Sequence, residues 1–338
     1  MGEPLLPFFD QDHLALHERV RAWVEANLIG GPAGEKKLED EARRLVKRLG
    51  EVGFNRHAVP RAYGGAREKV EARDLCILRE ELARGSALGA DVASLKTLAA
   101  RRGKSFCLTG TKRFISNAGI ADHYVVFAST EPEKKAKGVS AFIVDANAPG
   151  LIVKEKTEVL SPHPIGVLAF ENCEIAEDAM IGKAGEGLNI AFGTLDLLRC
   201  TVGAAAVGLA QRALEEAVRY AGARQQFGQA IARFQGIQFK LADMATELEA
   251  ARLLVYQAAW AHDCGNEDAK QKSSMAKLYA TEAAQRIIDQ GLQIHGGVGL
   301  IAGSIMERLY RDIRALRIYE GTSEIQKLVI ARGLLQKS

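Results

Sequence analysis

The stretch that decides how this chain is interpreted lies near the C-terminus and reads Arg317-Ile318-Tyr319-Glu320-Gly321-Thr322-Ser323-Glu324-Ile325-Gln326. It places the carboxylate of Glu320 just before a strongly marked helix start. Ser323 with Gln326 three residues later predicts a capping box, and Glu324 lies in the first turn, where the helix dipole favours an anion. A carboxylate beside open backbone N–H groups can remove a proton while those groups hold an anionic oxygen. The alternative for a lone glutamate is a polar residue in a connecting turn.

Helical periodicity occupies both ends of the chain. Amphipathic patterns run through the first ninety residues, with Asp10 as a plausible N-cap for the first helix. From about Gly187 the pattern is helical again, and a bundle seam alternates steps of three and four residues from Phe234 to Val255. A second long helix is predicted over residues 269–292. The sequence therefore predicts a helical unit at the start and a helical bundle at the end.

The middle of the chain changes to a period of two. Short β-rich runs punctuated by glycines predict an antiparallel β-domain, and no strand–helix–strand alternation suggests a dinucleotide-binding α/β fold. The predicted fold class is α+β, with domains at residues 1–91, 92–183 and 184–338. The β-rich runs lie at residues 106–109, 112–116, 124–128, 139–144, 151–154 and 165–170.

Composition narrows the class of function. The chain has 338 residues, with 45 basic and 42 acidic side chains and a formal net charge of +3, so a nucleic-acid partner is not indicated. The five cysteines are widely spaced and no histidine stands at metal-ligand spacing, so no metal site is expected. No targeting segment is evident, and no stretch approaches the length of a membrane span. We expect a soluble cytoplasmic protein that does not bind a membrane.

The letters IYEGTSEIQ, followed by LVIAR at residues 328–332, resemble the closing motif of the acyl-CoA dehydrogenase family. In that family the Glu before Gly-Thr-Ser is the catalytic base, so the resemblance implies that role for Glu320. It assigns Gly321 to the substrate site, and Thr322 and Glu324 to the cofactor site. It implies an FAD enzyme of fatty acid metabolism that removes an α-proton and a β-hydride from an acyl-CoA, which gives the trans-2-enoyl-CoA.

The segment TKRFISNA, residues 111–118, resembles the strand that covers the flavin ring in this family. By that resemblance, Phe114 packs on the isoalloxazine and Ser116 supplies a hydroxyl near flavin N5. The alternative is plain strand core, in which alternating Phe and Ile are common.

Two further segments resemble parts of the family's FAD site. RQQFG at residues 224–228, then Phe234-Gln235, resembles the segment that holds the cofactor of the other protomer, and an Arg fork suits pyrophosphate oxygens. QIHGG at residues 293–297 resembles a second piece, where paired glycines let backbone approach a ligand. The alternatives are a surface cation and a helix stop. The residues implied are Arg224, Phe227, Gln235, Gln293, Gly296 and Gly297.

TLDLLR at residues 194–199 resembles the segment near the acyl-chain pocket. Asp196 could hold the pantetheine end of the substrate and Arg199 the base loop, although an Asp–Arg pair three residues apart is also a common helix salt bridge. Some family members carry their base in this helix, where this chain has Leu198. The resemblance further implies a homodimer or homotetramer, with electron-transfer flavoprotein as electron acceptor.

The resemblance breaks near residue 90. The family usually has two more helices and a turn similar to L-T-E-P-x-A-G-S-D before the KRFISNA strand, whereas here EELARGSALGAD at residues 80–91 runs almost directly into VASLKT. An internal deletion would remove backbone contacts to the flavin and one wall of the acyl pocket. Two hypotheses therefore stand: a working dehydrogenase, or a non-catalytic scaffold or partner subunit that has lost tight flavin binding.

Overall fold

The computed structural model describes residues 8–29, 38–85 and 97–335. The predicted deletion point, between residues 85 and 97, and the predicted domain boundary at residue 91 lie outside these ranges. Helices precede and follow a sheet in the described residues, so the predicted α+β order of helical unit, β-domain and helical bundle is confirmed. The exact domain boundaries stay predictions.

The described residues form two compact units. One contains residues 8–29, 47–85 and 196–335, so helices from both ends of the chain share a single apolar core. The other contains residues 38–46 and 97–195 and is built around the sheet. Each unit is described in turn.

The N-terminal helices begin as the sequence predicts. Asp10 caps α1 (Gln11–Asn27) by accepting hydrogen bonds from the backbone N–H groups of Asp12 and His13. A second helix, α2 (Leu38–Glu51), and a third, α3 (Ala72–Gly85), follow. The buried face of α1 includes Leu16, Val20 and Val24.

Five helices make up the C-terminal part. The predicted seam is confirmed in α5, where the residues at helical spacing that are buried are Met244, Leu248, Ala251 and Val255. The predicted helix over residues 269–292 continues to His295. The helices are α4 (Gly187–Ala223), α5 (Gln235–Asp263), α6 (Ala269–His295), α7 (Ile305–Leu316) and α8 (Ser323–Leu335).

Buried polar contacts join α3 to the C-terminal helices. Glu80 of α3 is 4% exposed and accepts hydrogen bonds from the Tyr256 hydroxyl, at 2.6 Å, and from Nε of Arg252, at 3.0 Å. Both donors lie on α5. On the other side, α4 approaches so closely that a Cβ built on Gly208 would lie 2.0 Å from the carbonyl oxygen of Glu80. Only glycine fits at that crossing.

The β-unit contains a seven-stranded sheet with strand order β5-β6-β2-β1-β3-β4-β7. Its pairs are antiparallel except for one parallel contact between Leu98 and Ser129. Its core includes Phe106 and Phe142, whose ring centroids lie 5.1 Å apart. The strands are β1 (Leu98–Arg102), β2 (Ser105–Ser116), β3 (His123–Ser129), β4 (Val139–Asp145), β5 (Leu151–Thr157), β6 (Ile165–Ala176) and β7 (Met180–Ile181).

The sheet differs from the sequence-based runs in two places. The runs at 106–109 and 112–116 are one strand, β2, because Gly110 sits at a register shift instead of ending the strand. The strand β1 was not predicted, since its letters LAARR contain no β-branched or aromatic residue. It forms because a turn at Gly103, where φ is 61°, folds it back onto β2.

The helix α4 has the length and apolar composition of a helix that could cross a membrane. The expectation that no stretch approaches such a length was therefore wrong. Half of its most apolar window is buried inside the protein, which is the pattern of a central core helix. Its buried positions include Ala204, Ala206 and Val207.

The crossing at Gly208 gives a stability prediction. Gly208→Ala should lower the free energy of unfolding by roughly 1–3 kcal/mol, because the added methyl group overpacks the α3–α4 contact. Gly222→Ala, in the same helix but with nothing within 4 Å of the added carbon, should raise it by up to about 1 kcal/mol through helix propensity. Chemical denaturation measures both, and equal stability of the two variants would contradict the packing described.

Candidate active site

The segment around Glu320 forms a tight, strained loop between α7 and α8. Glu320 has a φ of 54° and Gly321 a φ of 94°. A non-glycine residue in this region is uncommon and costs about 1–3 kcal/mol, so the surrounding structure must hold it there. The Glu320 side chain is only 8% exposed.

Two fully buried side chains hold the loop. Lys277 of α6 is 0% exposed, and its Nζ donates a hydrogen bond of 2.9 Å to the carbonyl oxygen of Gly321. Gln326 of α8 is also 0% exposed, and its Nε2 donates to the carbonyl oxygens of Glu320, at 3.2 Å, and of Gly321, at 2.9 Å. Both carbonyls of the strained pair are therefore fixed by protein donors.

The predicted capping box at Ser323 is wrong by one residue. Thr322 supplies the cap, since its Oγ1 accepts a hydrogen bond of 3.4 Å from the backbone N–H of Ile325. Ser323 is the first residue of α8, and its hydroxyl donates to Oε1 of Glu282 at 2.5 Å. The shift has a physical reason, because the side chain of Gln326 binds the loop carbonyls and is unavailable for a box.

Glu282 of α6 forms a second anchor for the loop. Its carboxylate also pairs with Arg317 at 2.7 Å, so it joins both ends of the loop to the same helix. Burial raises the pKa of Glu282, but the hydrogen bonds from Arg317 and Ser323 outweigh burial and lower it overall. The carboxylate thus stays charged at neutral pH.

A cation that the sequence analysis did not single out lies beside Glu320. Nη1 of Arg79, on α3, is 3.9 Å from Oε1 of Glu320 and donates a hydrogen bond of 2.8 Å to Thr201 Oγ1, on α4. Three elements thus meet at the carboxylate. No motif marks Arg79, whereas Lys277 had a usable signal, namely a charge within the otherwise small and apolar stripe of α6.

Asp196 and Arg199, the predicted substrate residues, form the helix ion pair that was the alternative for them. Nη1 of Arg199 is 2.6 Å from Oδ1 of Asp196, and Nζ of Lys270 is 3.1 Å from the other oxygen. Arg199 is 5% exposed. Through Lys270, the pair joins α4 to α6.

The residues of the flavin-ring motif lie in the β-unit. Phe114 has a φ of 55° and is 49% exposed, at a register shift between Lys112 and Ile115. Ser116 Oγ lies 3.1 Å from Nε2 of His163. Burial lowers the pKa of His163 to about 4, so the imidazole is neutral near pH 7. The bulge turns a large aromatic ring outward instead of into the sheet core.

The segment that carries Arg224 forms a small hairpin, with β8 (Gln225–Gln226) paired to β9 (Gln229–Ala230). Its two-residue turn consists of Phe227, at φ 49°, and Gly228, at φ 82°, which is the pattern of a type I′ turn. Phe227 is 92% exposed. Arg224 and Gln235 are exposed on either side of the hairpin.

The other predicted cofactor segment lies at the end of α6. Gln293, Gly296 and Gly297 are exposed, and a Cβ on either glycine would meet nothing within 4 Å. Gly296 has a φ of 56°. His295 between them is buried and stacks on Tyr220 at 4.3 Å, which fixes the direction of the exposed backbone.

Backbone strain in non-glycine residues is concentrated at predicted site residues. Within residues 8–29, 38–85 and 97–335, three of the six such residues with positive φ were candidates from the sequence: Phe114, Phe227 and Glu320. Strain of this kind persists only where the surrounding structure holds the residue in place. Of the remaining three, Asn117 lies in the turn after β2, Lys135 in a short 3-10 segment, and Asn172 within β6.

The candidates divide between the two units. Glu320, Gly321, Thr322 and Glu324 belong to the helical unit, as do Asp196, Arg199 and the hairpin and α6 segments. Phe114 and Ser116 belong to the β-unit. Glu324 is fully exposed on the first turn of α8.

One group of ligand-type side chains occurs among the described residues: His13, Glu71 and Asp74, whose ligand atoms lie within 4.8 Å of one another. Nη2 of Arg73 is 3.3 Å from Glu71, and Nε of Arg67 is 3.0 Å from Asp74. These guanidinium groups balance the two carboxylates, so an ion-pair network accounts for the cluster.

Comparison with models of known protein families assigns three ranges of the chain to domains of one family. Three family models match the chain: the acyl-CoA dehydrogenase N-terminal domain over residues 10–102, the middle domain over residues 85–173, and the C-terminal domain over residues 185–335. Together they match well over half of the chain.

Similarity to individual proteins supports the same family assignment. An acyl-CoA dehydrogenase of Bacillus subtilis is 38% identical, with 96% of this chain and 98% of that protein covered. A 3-(aryl)acrylate reductase of Clostridium sporogenes is 35% identical, with 97% and 100% covered. A chain solved in work on the electron transferring flavoprotein of Acidaminococcus fermentans has a TM-score of 0.88 at 30% identity, with 99% and 100% covered. Solved neighbours include FAD complexes. This chain therefore belongs to the FAD-dependent acyl-CoA dehydrogenase family.

Proposed function

We propose that this protein oxidises an acyl-CoA thioester to the trans-2-enoyl-CoA, with Glu320 as the base that removes the α-proton. The observation that carries the proposal is the strained, doubly anchored Glu320 loop. A strained glutamate in a plain connecting turn would relax, whereas here Lys277 and Gln326 hold it in place. The family membership supports flavin-dependent oxidation of acyl-CoA in general.

The proposed chemistry of Glu320 depends on stabilising charge at the thioester oxygen. A thioester α-proton is a weak acid, so donors must stabilise the enolate-like oxygen, and the loss of one such donor typically costs about 3–4 kcal/mol. The family places one donor at the backbone N–H of the base itself. The carbonyl of Glu320, held by Gln326, fixes the peptide plane between Glu320 and Gly321 and so restrains the conformation of the residue that carries this donor. Gly321, which follows the base, gives room for the substrate.

FAD supplies a hydride acceptor at the β-carbon when it is bound. The residues present fit this cofactor, because exposed aromatic rings and open glycine backbone stand at the positions that the family uses. We propose that Phe114 packs on the ring and Ser116 bonds near it, while Arg224 holds pyrophosphate oxygens. The other proposed contacts come from Phe227, Gln235, Gln293, Gly296, Gly297, Thr322 and Glu324.

The proposed partners follow from the same segments. In the family, the Arg224 hairpin reaches the cofactor of a neighbouring protomer, so we propose a homodimer or homotetramer. The 92% exposure of Phe227 supports this, since an aromatic ring of that exposure gains from burial in an interface. Electron-transfer flavoprotein is the proposed electron acceptor. Asp196 and Arg199 are proposed to line the substrate side.

We also propose that the chain lacks an internal segment of the family. The match to the Bacillus subtilis relative runs over 375 positions, whereas this chain has 338 residues, so at least 37 positions are gaps in this chain. The loss would remove flavin contacts made by the L-T-E-P turn. FAD should therefore bind more weakly than in complete relatives.

One observation favours the alternative of a non-catalytic scaffold or partner subunit. Arg79 lies 3.9 Å from Glu320, so the carboxylate is part of an ion pair in this structure. In a working enzyme, substrate would have to separate or reorient this pair. In a scaffold, the pair would simply stabilise the contact of α3 with the loop before α8.

The role of Glu320 is tested by Glu320→Gln. In protein loaded with FAD, anaerobic bleaching of flavin by an acyl-CoA should slow by about 10²-fold or more, because the amide keeps the shape but not the basicity. Affinities for FAD and acyl-CoA should be retained. Glu267→Gln, an exposed glutamate before α6, is the matched control and should bleach at the wild-type rate. Bleaching at the wild-type rate in Glu320→Gln would remove Glu320 from the mechanism.

Flavin content tests the enzyme against the scaffold. The purified protein should contain less than one FAD per chain and gain flavin when FAD is added, since every 1.4 kcal/mol of lost contact weakens binding about tenfold. Phe114→Ala should weaken FAD binding further by about tenfold through loss of stacking. Tyr63→Ala, which removes another exposed ring in the helical unit, should leave affinity unchanged. No uptake at millimolar FAD by the folded protein would leave only the scaffold.

A further inference from the structure

A concave site lies within the N-terminal helices, away from the segments that resemble the family's FAD and substrate sites. It is a cavity of about 580 Å³ between α1 and the loop that joins α2 to α3. Its size falls in the usual range for small-molecule pockets. Four arginines and one histidine line it, against a single carboxylate. The polar lining residues are Arg19, Arg56, Arg61, Arg67, His57 and Asp12.

A buried carboxylate fixes two of the lining side chains. Asp74 is 0% exposed and accepts a hydrogen bond of 2.6 Å from Nδ1 of His57. It also accepts two bonds from Arg67, at 3.0 and 3.2 Å. Burial raises the pKa of Asp74, but the bonds from His57 and Arg67 bring it down to about 2, so the anchor is charged at neutral pH.

The tautomer of His57 follows from its two contacts. Nδ1 must carry a proton because it faces the Asp74 carboxylate, and Nε2 must accept because its other neighbour is Nη2 of Arg19, at 3.4 Å. Nε2 of His57 is thus aimed at Arg19. The buried Asp74 carboxylate holds the ring in position.

The four arginines are not equally balanced. Arg67 pairs with Asp74 and Asp12, and Arg61 pairs with Glu68. Among the described residues, Arg19 contacts the His57 ring and stacks on Phe54, and Arg56 donates to the carbonyl oxygen of Gly64. None of these three contacts supplies a negative charge. Two guanidinium groups at one cavity therefore have donors directed at neutral atoms.

We propose that this cavity binds a small soluble phosphate compound. Guanidinium groups bind phosphate oxygens in planar, bidentate pairs, and two arginines with no acidic partner in the described part of the chain give the charge that a phosphate dianion needs. The paired Arg61 and Arg67 give further donors at the rim, and His57 gives a polar wall.

The site is separate from the proposed chemistry of Glu320. No cavity-lining residue belongs to the base loop or to a segment that resembles the FAD or substrate site. A ligand here would therefore bind whether or not the protein is a working dehydrogenase, and its loss should leave FAD affinity unchanged.

Calorimetric titration with pyrophosphate, on FAD-loaded protein at low salt, tests the proposal. Arg19→Gln with Arg56→Gln should weaken pyrophosphate binding by about tenfold or more, because both unbalanced charges are lost. Arg43→Gln, an exposed arginine on α2, is the matched control and should bind as wild type. Within the protein, Arg56→Gln alone breaks only a hydrogen bond to a surface carbonyl. It should weaken pyrophosphate binding, but by less than the double variant does. Unchanged melting temperatures show that the variants are folded.

Parallel titrations with inorganic phosphate and adenosine diphosphate distinguish the sources of phosphate. Tighter binding of the diphosphate indicates a nucleotide or other phosphate ester, and tighter binding of inorganic phosphate indicates the free ion. The proposal is overturned if pyrophosphate gives no saturable binding. It is also overturned if the double variant binds as tightly as wild type, because the anion is then held elsewhere.

Discussion

The hydrogen bond from buried Lys277 to the carbonyl of Gly321 is the interaction on which the proposed active site depends. A lysine ammonium with no solvent exposure is costly unless the protein provides acceptors. Because this acceptor lies in the loop, the stability of α6 depends on the conformation of Glu320. Gln326 of α8 also donates hydrogen bonds to loop carbonyls, so side chains of two helices hold the loop. These contacts offset the strain of a glutamate at φ 54°.

The same principle links the other candidate residues. Phe114 and Phe227 also have positive φ, and both present large exposed rings instead of burying them. Exposed aromatic surface and backbone strain each cost stability, and we propose from their coincidence that both rings contact a group outside the chain. In a member of an FAD-dependent family, the cofactor and a second subunit are the groups that we propose to cover them. The proposed deletion affects a different part of the flavin contacts, which is why we expect weakened rather than absent binding.

The sequence predicted well what depends on local pattern. Asp10 as N-cap, the seam in α5 and the order of helical and β parts all follow from periodicity and capping chemistry. Prediction from the sequence failed where contacts between distant segments determine the local structure. The cap shifted from Ser323 to Thr322 because Glu282 and the loop carbonyls took the side chains expected to form the box. Arg79 reaches Glu320 only through the packing of α3, which no spacing along the chain records.

The central claim is that Glu320 is a base positioned to take the α-proton of an acyl-CoA. Proton exchange tests this directly and separates the base from the redox step. The FAD-loaded protein, incubated anaerobically in heavy water with straight-chain acyl-CoA thioesters, should exchange the α-protons for deuterium, as followed by NMR. A base that removes a proton reversibly must return a solvent deuteron. If the loaded protein catalyses no α-exchange with any of the thioesters, Glu320 is not acting as a base and the account is contradicted.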